Sequence, residues 1–503
     1  MGFFRDRLMS MTNRSRMGAA SFLTAIFNTV ALLLIARNMG PAILGTLGFL
    51  LSFMGLFFFV GDLGNTMAFE KVLARGYRFS DCYRAFMMAK LKLTVYMAVL
   101  GGILIALYMF VLEPAGHTPL HPVSMIIILG YFITINLAGI WIVGMDMKRK
   151  QPRPRTHELI ESLAKTVMIA GVLWLAEVSG DQDAIFQLTF IYLVAGTLSL
   201  MLVRNNARRL KGGEPNEEIE VDFQEASGKI VPFMAFSALL LNLDKLALWL
   251  FSDFGTLGLY FGAQRITVFI GAAAISIEIL LGGVLAAYVR ENDVRKLSDT
   301  LRLTERYVCL VVLPVALFYI VLSHDLLAAF LGEDFAGAGT TVALLAGAGF
   351  FTALASPHIS YLLKADRAKD LAISSGIALA VFCVIAGILL PDLVLPDTDI
   401  HGTNGTALAL LASSLAGYIA VRYVTWKALD CPPHPRMLAH LLSAGIMMAF
   451  IQFLVWYFAI TLSFAWIVAM AIVGTTVYAL SLYLTGEMYK RDFERFRELT
   501  RQE

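Results

Sequence analysis

Charge is what this sequence has least of. Asp, Glu, Lys and Arg together make up 16% of its 503 residues, well below the roughly 25% of a soluble domain. Hydrophobic residues reach 58%, and mean hydropathy is +0.71. So little polar surface excludes a string of water-soluble domains and sets most of the exterior against lipid. Cysteine is also scarce. Cys82, Cys309, Cys383 and Cys431 have a spacing that fits no metal site and implies no disulfide framework. The patterns HExxH, GxSxG, GxGxxG and the P-loop do not occur in a credible context. The longest loops on one side, 113–121 and 391–403, hold about a dozen residues, too few for a catalytic domain. The sequence therefore argues against an enzyme and calls for no cofactor, metal or nucleic-acid partner.

What is present is long apolar runs, each near the ~20 helical residues that cross a bilayer. Fourteen are read: 17–37, 43–63, 88–112, 122–145, 158–178, 184–203, 229–251, 255–289, 305–330, 338–363, 370–391, 404–426, 437–459 and 462–485. The eighth exceeds one simple span, so it should project from the membrane or bend at Gly282–Gly283. The first is expected to be a retained helix, because no A-x-A-type cleavage site follows it. Both tails and every second loop carry 35 of the 40 basic residues. Lys90 and Lys92 are counted among them, at the start of the third run. Intervening loops carry acids instead, such as Asp181, Asp183, Glu333 and Asp334. By the positive-inside rule this pattern predicts a multi-pass protein of the cell membrane with both termini cytoplasmic.

The predicted fold is all-α, with about fourteen transmembrane helices in two pseudo-symmetric six-helix lobes plus two extra C-terminal helices. The expected divisions are a lobe at 1–204, a flexible cytoplasmic connector at 205–228, a lobe at 229–428, two helices at 429–485, and a cytoplasmic tail at 486–503. The tail places Tyr489, Phe493, Phe496 and Leu499 on one helical stripe, as an amphipathic surface helix would. The tetrapeptide GTLG opens the second run at 45–48 and the eighth at 255–258. These are corresponding places in the two lobes, which points to a parallel duplication about an axis along the membrane normal. Such a pair of lobes suggests transport by alternating access.

Five basic residues fall outside the cytoplasmic stretches: Arg37, Lys165, Lys245, Arg265 and Arg422. A charge inside a span costs ~2.5–3.5 kcal/mol on insertion scales, so each needs a reason. Arg422, close to a cytoplasmic helix end, is expected to snorkel. Arg37 ends the first run at the outer face, as a cavity guard or a headgroup contact. Lys165 follows Glu161 by four residues, the favourable order for a helix ion pair. Arg265 lies about ten residues into its run, ~15 Å deep at 1.5 Å per residue. Asn242 and Lys245 share a helix face, with Asp244 adjacent. Two readings stay open here. Arg265 and Lys245 line a polar cavity with Asn242 and Asp244 positioning them, or Asp244 and Arg265 only staple two helices. Asp62 and Glu278 are candidate ligands for a coupling proton or sodium ion. His358, beside Pro357, reads as a histidine at a helix kink.

Several segments resemble the oligosaccharide-lipid flippases, the Wzx-type branch of the multidrug/oligosaccharidyl-lipid/polysaccharide (MOP) transporter superfamily. ARNMGPAILGTLGFLLSFMGLFFFVGDLGNTMAFEKVLARG is similar to the first helix pair of that family. LLLNLDKLALWLFSDFGTLGLYFGAQRI resembles its seventh and eighth helices, with Asn242, Asp244, Lys245, Gly258, Tyr260, Ala263 and Arg265 on the pattern. GILLPDLVLPDTDIHGTNGTALALLASSLAGY resembles the eleventh-to-twelfth segment. The resemblance implies a transporter that moves a polyprenyl-pyrophosphate-linked glycan from the cytoplasmic to the outer leaflet, for surface polysaccharide such as lipopolysaccharide O-antigen or exopolysaccharide. Its partners would be that lipid-linked oligosaccharide, membrane lipids, a coupling proton or sodium ion, and other glycan-assembly proteins. Arg265 and Lys245 would meet the pyrophosphate. The related lipid II flippases usually carry basic residues within their first helix, and this first run has none before Arg37. Cation-coupled drug antiporters of the superfamily have twelve helices and an acidic site with no evident counterpart here.

Overall fold

The computed structural model describes residues 2–112, 122–149, 156–175, 180–208, 210–391, 402–458 and 463–487. Helices dominate these residues and no strand occurs among them. The cause is the solvent. Inside a bilayer each backbone N–H and C=O must be paired within the chain, and a helix does this locally. Eleven helical segments are long and apolar enough to cross a membrane. The first, Ala20–Ala74, is long enough to cross twice. Large apolar side chains such as Trp174, Phe110, Met201 and Trp456 are exposed, as a lipid-facing surface requires. The chain is a multi-pass membrane protein.

The molecule divides into two compact units, Met1–Gly258 and Leu259–Glu503. The first contains α1 (Gly2–Phe58), α2 (Asn65–Ala74), α3 (Phe79–Leu107), α4 (Pro122–Arg149), α5 (Thr156–Leu175), α6 (Asp181–Asn206), α7 (Glu217–Gly228) and α8 (Val231–Phe251). Helix α1 holds two spans. They part at Gly40, whose left-handed φ of 79° breaks the helix, and Pro41, with no N–H to donate, restarts it. A second break follows the span. Leu63 and Gly64 both take positive φ before α2 begins, so the Asp62-Leu63-Gly64 triplet is a helix terminus.

The connector expected to be flexible is in good part a helix. In α7, Asn216 caps the N-terminus by accepting from the amides of Glu218 and Ile219. Three glutamates fill its first turn, where the helix dipole favours them. Ile219, Phe223 and Ala226 fall on one face and are buried in a core with Phe69, Tyr83, Phe86 and Ile140. On the other face Asp222 pairs with Arg75 and accepts from the Tyr77 hydroxyl. Net polarity had disguised an amphipathic helix as a tether.

The second unit continues α9 (Phe254–Glu291) and adds α10 (Val294–Val321), α11 (Ser323–Leu331), α12 (Gly339–Lys364), α13 (Ala368–Leu389), α14 (Thr403–Leu429), α15 (Met437–Phe458) and α16 (Phe464–Leu484). Helix α9 runs unbroken for 38 residues, about 57 Å at 1.5 Å per residue. That length exceeds the ~30 Å of a hydrocarbon core, as the length of the eighth run leads one to expect. The last two helices pack on α10 through Ala444, Met447, Ile451, Ile467 and Met470. From residue 488 onward the tail, with its proposed stripe, lies outside the described residues.

The repeated GTLG segments touch each other within the first unit. A Cβ on Gly45 would stand 1.9 Å from the Phe254 carbonyl oxygen, and one on Gly258 would stand 1.8 Å from the Pro41 carbonyl oxygen. Each glycine abuts the carbonyl four residues before the other. The contact is thus symmetric under exchange of the two copies.

Candidate functional site

Three of the five charges that composition marks as costly, Lys165, Lys245 and Arg422, lie in buried clusters. In the first unit, Asp62 sits at the helix break. Its Oδ1 meets Lys90 Nζ at 2.6 Å and accepts from Thr66 Oγ1 at 2.8 Å. Lys90 was counted with the cytoplasmic loops, yet it lies eleven residues into α3 and only 6% exposed. The missed signal was α3 itself, which begins at Phe79 and carries Lys90 well inside. One turn on, Thr94 accepts from Asn136 Nδ2 at 3.1 Å, and Asn136 packs flat on Gly61. The coupling-ion candidate Asp62 is thereby engaged by a cation.

A second cluster ties α4, α5 and α6. Lys165 Nζ lies 3.2 Å from Glu161 Oε1, as their spacing predicts, and 5.0 Å from the centre of the Tyr192 ring. Tyr131 donates its hydroxyl to the same Glu161 oxygen at 3.2 Å. A third sits on α8. Lys245 Nζ lies 2.8 Å from Asp244 Oδ1 and donates to the Leu241 carbonyl, with both charged side chains buried. Asn242 donates to the Ala238 carbonyl, and its Oδ1 faces Gly55 of α1. The structure therefore gives Asp244 an adjacent partner in Lys245, whichever role Arg265 has. Arg37 is exposed.

In the second unit, Arg265 is half-buried on α9 with its guanidinium 4.6 Å above the Phe261 ring. The side chain of Glu278 lies outside the described residues. The cluster that sequence reasoning missed is centred on Glu305, eleven residues into α10 and fully buried. Its Oε1 lies 3.0 Å from Arg422 Nε and 3.3 Å from His358 Nε2, and accepts from the Tyr418 hydroxyl at 2.8 Å. Arg422 also donates to the Cys431 carbonyl at 2.8 Å. It does not snorkel: it turns inward, because a buried carboxylate on a neighbouring helix compensates it better than a distant interface. Next to it, Arg306 bonds Glu487 at 2.7 Å, and His440 meets the same carboxylate at 3.1 Å, fastening α10 to the C-terminal helix pair. Each partner lies more than a hundred residues away in sequence for the Tyr418 and Arg306 bonds, so no local spacing could reveal them.

Lys90 lies eleven residues into α3 and Glu305 eleven residues into α10, so each charge sits well inside a spanning helix. The clusters suit neutralised charge on packed helices, not acid–base chemistry on a bound substrate. Among the described residues no group of three His, Cys, Asp or Glu side chains is placed to hold a metal ion.

No protein-family model and no curated protein matches this sequence. Solved structures do. One of the lipid II flippase MurJ in an inward closed conformation aligns with a TM-score of 0.71 and 15% identity, over 93% of this chain and 98% of its own. An inward-facing multidrug-resistance MATE transporter of the MOP superfamily gives 0.62 and 13%, over 81% and 95%. A MOP-superfamily transporter from Pyrococcus furiosus, described as having a binding pocket of reverse polarity, gives 0.54 and 13%, over 84% and 96%. All are transporters, and at these identities what is shared is the fold. The chain has the fold of the MOP transporter superfamily.

Proposed function

We propose that the protein is a flippase that carries a polyprenyl-pyrophosphate-linked oligosaccharide from the cytoplasmic to the outer leaflet by alternating access, in surface polysaccharide assembly at the cell membrane. Both termini are cytoplasmic in this reading, from the charge asymmetry of the loops. The observation that carries it is Arg265. It sits about ten residues into α9, half-buried, with its guanidinium carbon 4.6 Å from the centre of the Phe261 ring. A diphosphate in a low-dielectric cavity needs a cation, and a planar guanidinium offers two parallel donors to it. Lys245, held by Asp244 with Asn242 a turn away, is the second basic group of the proposed path. Arg37 and Lys165 are assigned secondary contacts with the glycan head.

A second reading is a flippase for lipid II, the peptidoglycan precursor. It is favoured by the 0.71 TM-score over 93% of the chain. A drug antiporter has no comparable support, since Asp62 is already matched by Lys90.

Complementation tests the reading. In a strain lacking its own flippase, Arg265→Ala should abolish glycan display at normal membrane abundance, and Arg265→Lys should restore part of it. Full display with Arg265→Ala would refute the substrate role. Rescue of a lipid II flippase deletion, without rescue of glycan display, would select the second reading.

A further inference from the structure

We infer that His358 and Glu305 form a proton-binding site inside the second unit, which couples a proton to the packing of α10, α12 and α14. The inference rests on the transporter reading only for the purpose of the coupling, not for the binding.

His358 is fully buried, and neither ring nitrogen is hydrogen-bonded among the described residues. Its Nε2 stands 3.3 Å from Glu305 Oε1, within ion-pair reach but outside hydrogen-bond geometry. Glu305 Oε2 is also buried and unbonded. A buried imidazole and a buried carboxylate with spare bonding capacity face each other, and unmet capacity of this kind is costly in a packed interior. A proton taken up here changes the charge of the pair from −1 to 0 and sets an imidazolium 3.3 Å from the carboxylate. Taken up by the ring, it turns His358 into a cation with two donors beside a carboxylate, without closing any cavity.

The groups around the pair set its response. From α10 come Glu305 and Cys309. From α14 come Arg422 and Tyr418, whose ring centre lies 6.4 Å from that of His358. The Arg367–Asp370 pair next to α13 stands beside Tyr361, about one turn along α12. Without the proton, Glu305 is neutralised by Arg422, so α10 is tied to α14. With it, the same carboxylate bridges cations on two helices, and α12 is drawn into the tie. Protonation therefore has a different interaction energy with two packings of three helices, which is the requirement for a ligand to shift a conformational equilibrium. Histidine is the side chain whose charge changes near physiological pH.

The test has two arms. The purified full-length protein, labelled with ¹⁵N-histidine and reconstituted in lipid nanodiscs, is titrated from pH 5 to pH 8 by NMR. The imidazole signal absent in His358→Gln, or in His358→Asn where the first variant does not accumulate, should change protonation state in that range. Glu305→Gln should move its midpoint down by about one pH unit or more, since an opposite charge is lost. A signal fixed in one state throughout, or a midpoint indifferent to Glu305→Gln, overturns the site. In the second arm, proteoliposomes carry the protein and a fluorescent polyprenyl-pyrophosphate disaccharide. The rate with a pH gradient divided by the rate without should exceed one in the wild type and fall to about one in His358→Gln and Glu305→Gln. A ratio of one in the wild type, or an unchanged ratio in the variants, overturns the coupling. No movement of the probe under any condition refutes the flippase assignment instead, and the titration still decides the proton site.

Discussion

Replacing Lys90 with methionine isolates the role of Asp62. The change keeps the length and apolar stem of the side chain and removes only the ammonium, which lies 2.6 Å from Asp62 Oδ1. Breaking a buried pair by deleting one partner typically costs about 3–5 kcal/mol, because the other charge stays behind uncompensated. Lys90 is 7% and Asp62 19% exposed at the side chain, so water reaches the carboxylate to some extent and Thr66 still donates to it. The lower end, about 3 kcal/mol, is expected. Asp62→Asn combined with Lys90→Met removes both charges and should return stability to within about 1 kcal/mol of the wild type. The assay is unfolding of the purified protein in mild detergent, by denaturant or heat, for wild type, both single variants and the double. Restoration in the double variant identifies a structural pair. Equal destabilisation of Lys90→Met and the double, or a Lys90→Met variant as stable as the wild type, would refute the reasoning and return Asp62 to the list of coupling-ion ligands.

Two further predictions concern packing and pH. Gly258→Ala should destabilise by about 1–3 kcal/mol, since its Cβ would meet the Pro41 carbonyl oxygen, which is backbone and cannot swing aside. Gly45→Ala should cost a similar amount, and the two together less than the sum, because one displacement of the helices relieves both clashes. The Arg75 guanidinium, bonded to Asp222, holds that carboxyl below the usual carboxylate range. A depressed carboxyl favours the folded arrangement above its ordinary value near 4 and loses that contribution as pH falls through the lowered one. The protection of α7 amides relative to their intrinsic exchange rate should therefore fall on acidification below about pH 4, and Asp222→Asn should remove that dependence.

Reading from residues alone succeeds where the governing interaction is local or one-dimensional. Spans are legible because a bilayer imposes length and hydropathy on each helix separately. The Glu161–Lys165 pair is legible because four residues are one helical turn. Reading fails where partners come from distant helices. Asp62 lacked a visible cluster because its cation sits on another helix, at a position the charge count had given to a loop. Arg422 was expected to reach the membrane surface, and nothing near it in sequence announces Glu305. His358 was assigned to a kink at Pro357 for the same reason. Helix α7 is a different case. Its cap at Asn216 and its Ile219, Phe223, Ala226 spacing were present to be read, but the acidic composition outweighed them. The GTLG repeat marks two segments that lie in contact at Gly45 and Gly258, a pairing no local spacing announces.

The distances in sequence between paired charges also set a timetable for synthesis. Asp62 and Lys90 are 28 residues apart and Arg306 and Glu487 are 181 apart. At ~5–20 residues per second, Asp62 waits roughly 1–6 s for its partner to be made, whereas Arg306 waits roughly 9–36 s. Lys245 needs no wait, since Asp244 precedes it. During the long interval α10 has been produced with an arginine whose carboxylate does not yet exist. The ribosome must finish α15 and α16 before Glu487 arrives to meet it. A nonsense codon anywhere between Leu429 and Glu487 would remove the Glu487 carboxylate, stranding Arg306 and ending its contact with His440, and would spare the other ion pairs described above. Quality control that recognises an uncompensated charge in a membrane helix would then sense the completeness of the chain at Arg306, far from the site of the break.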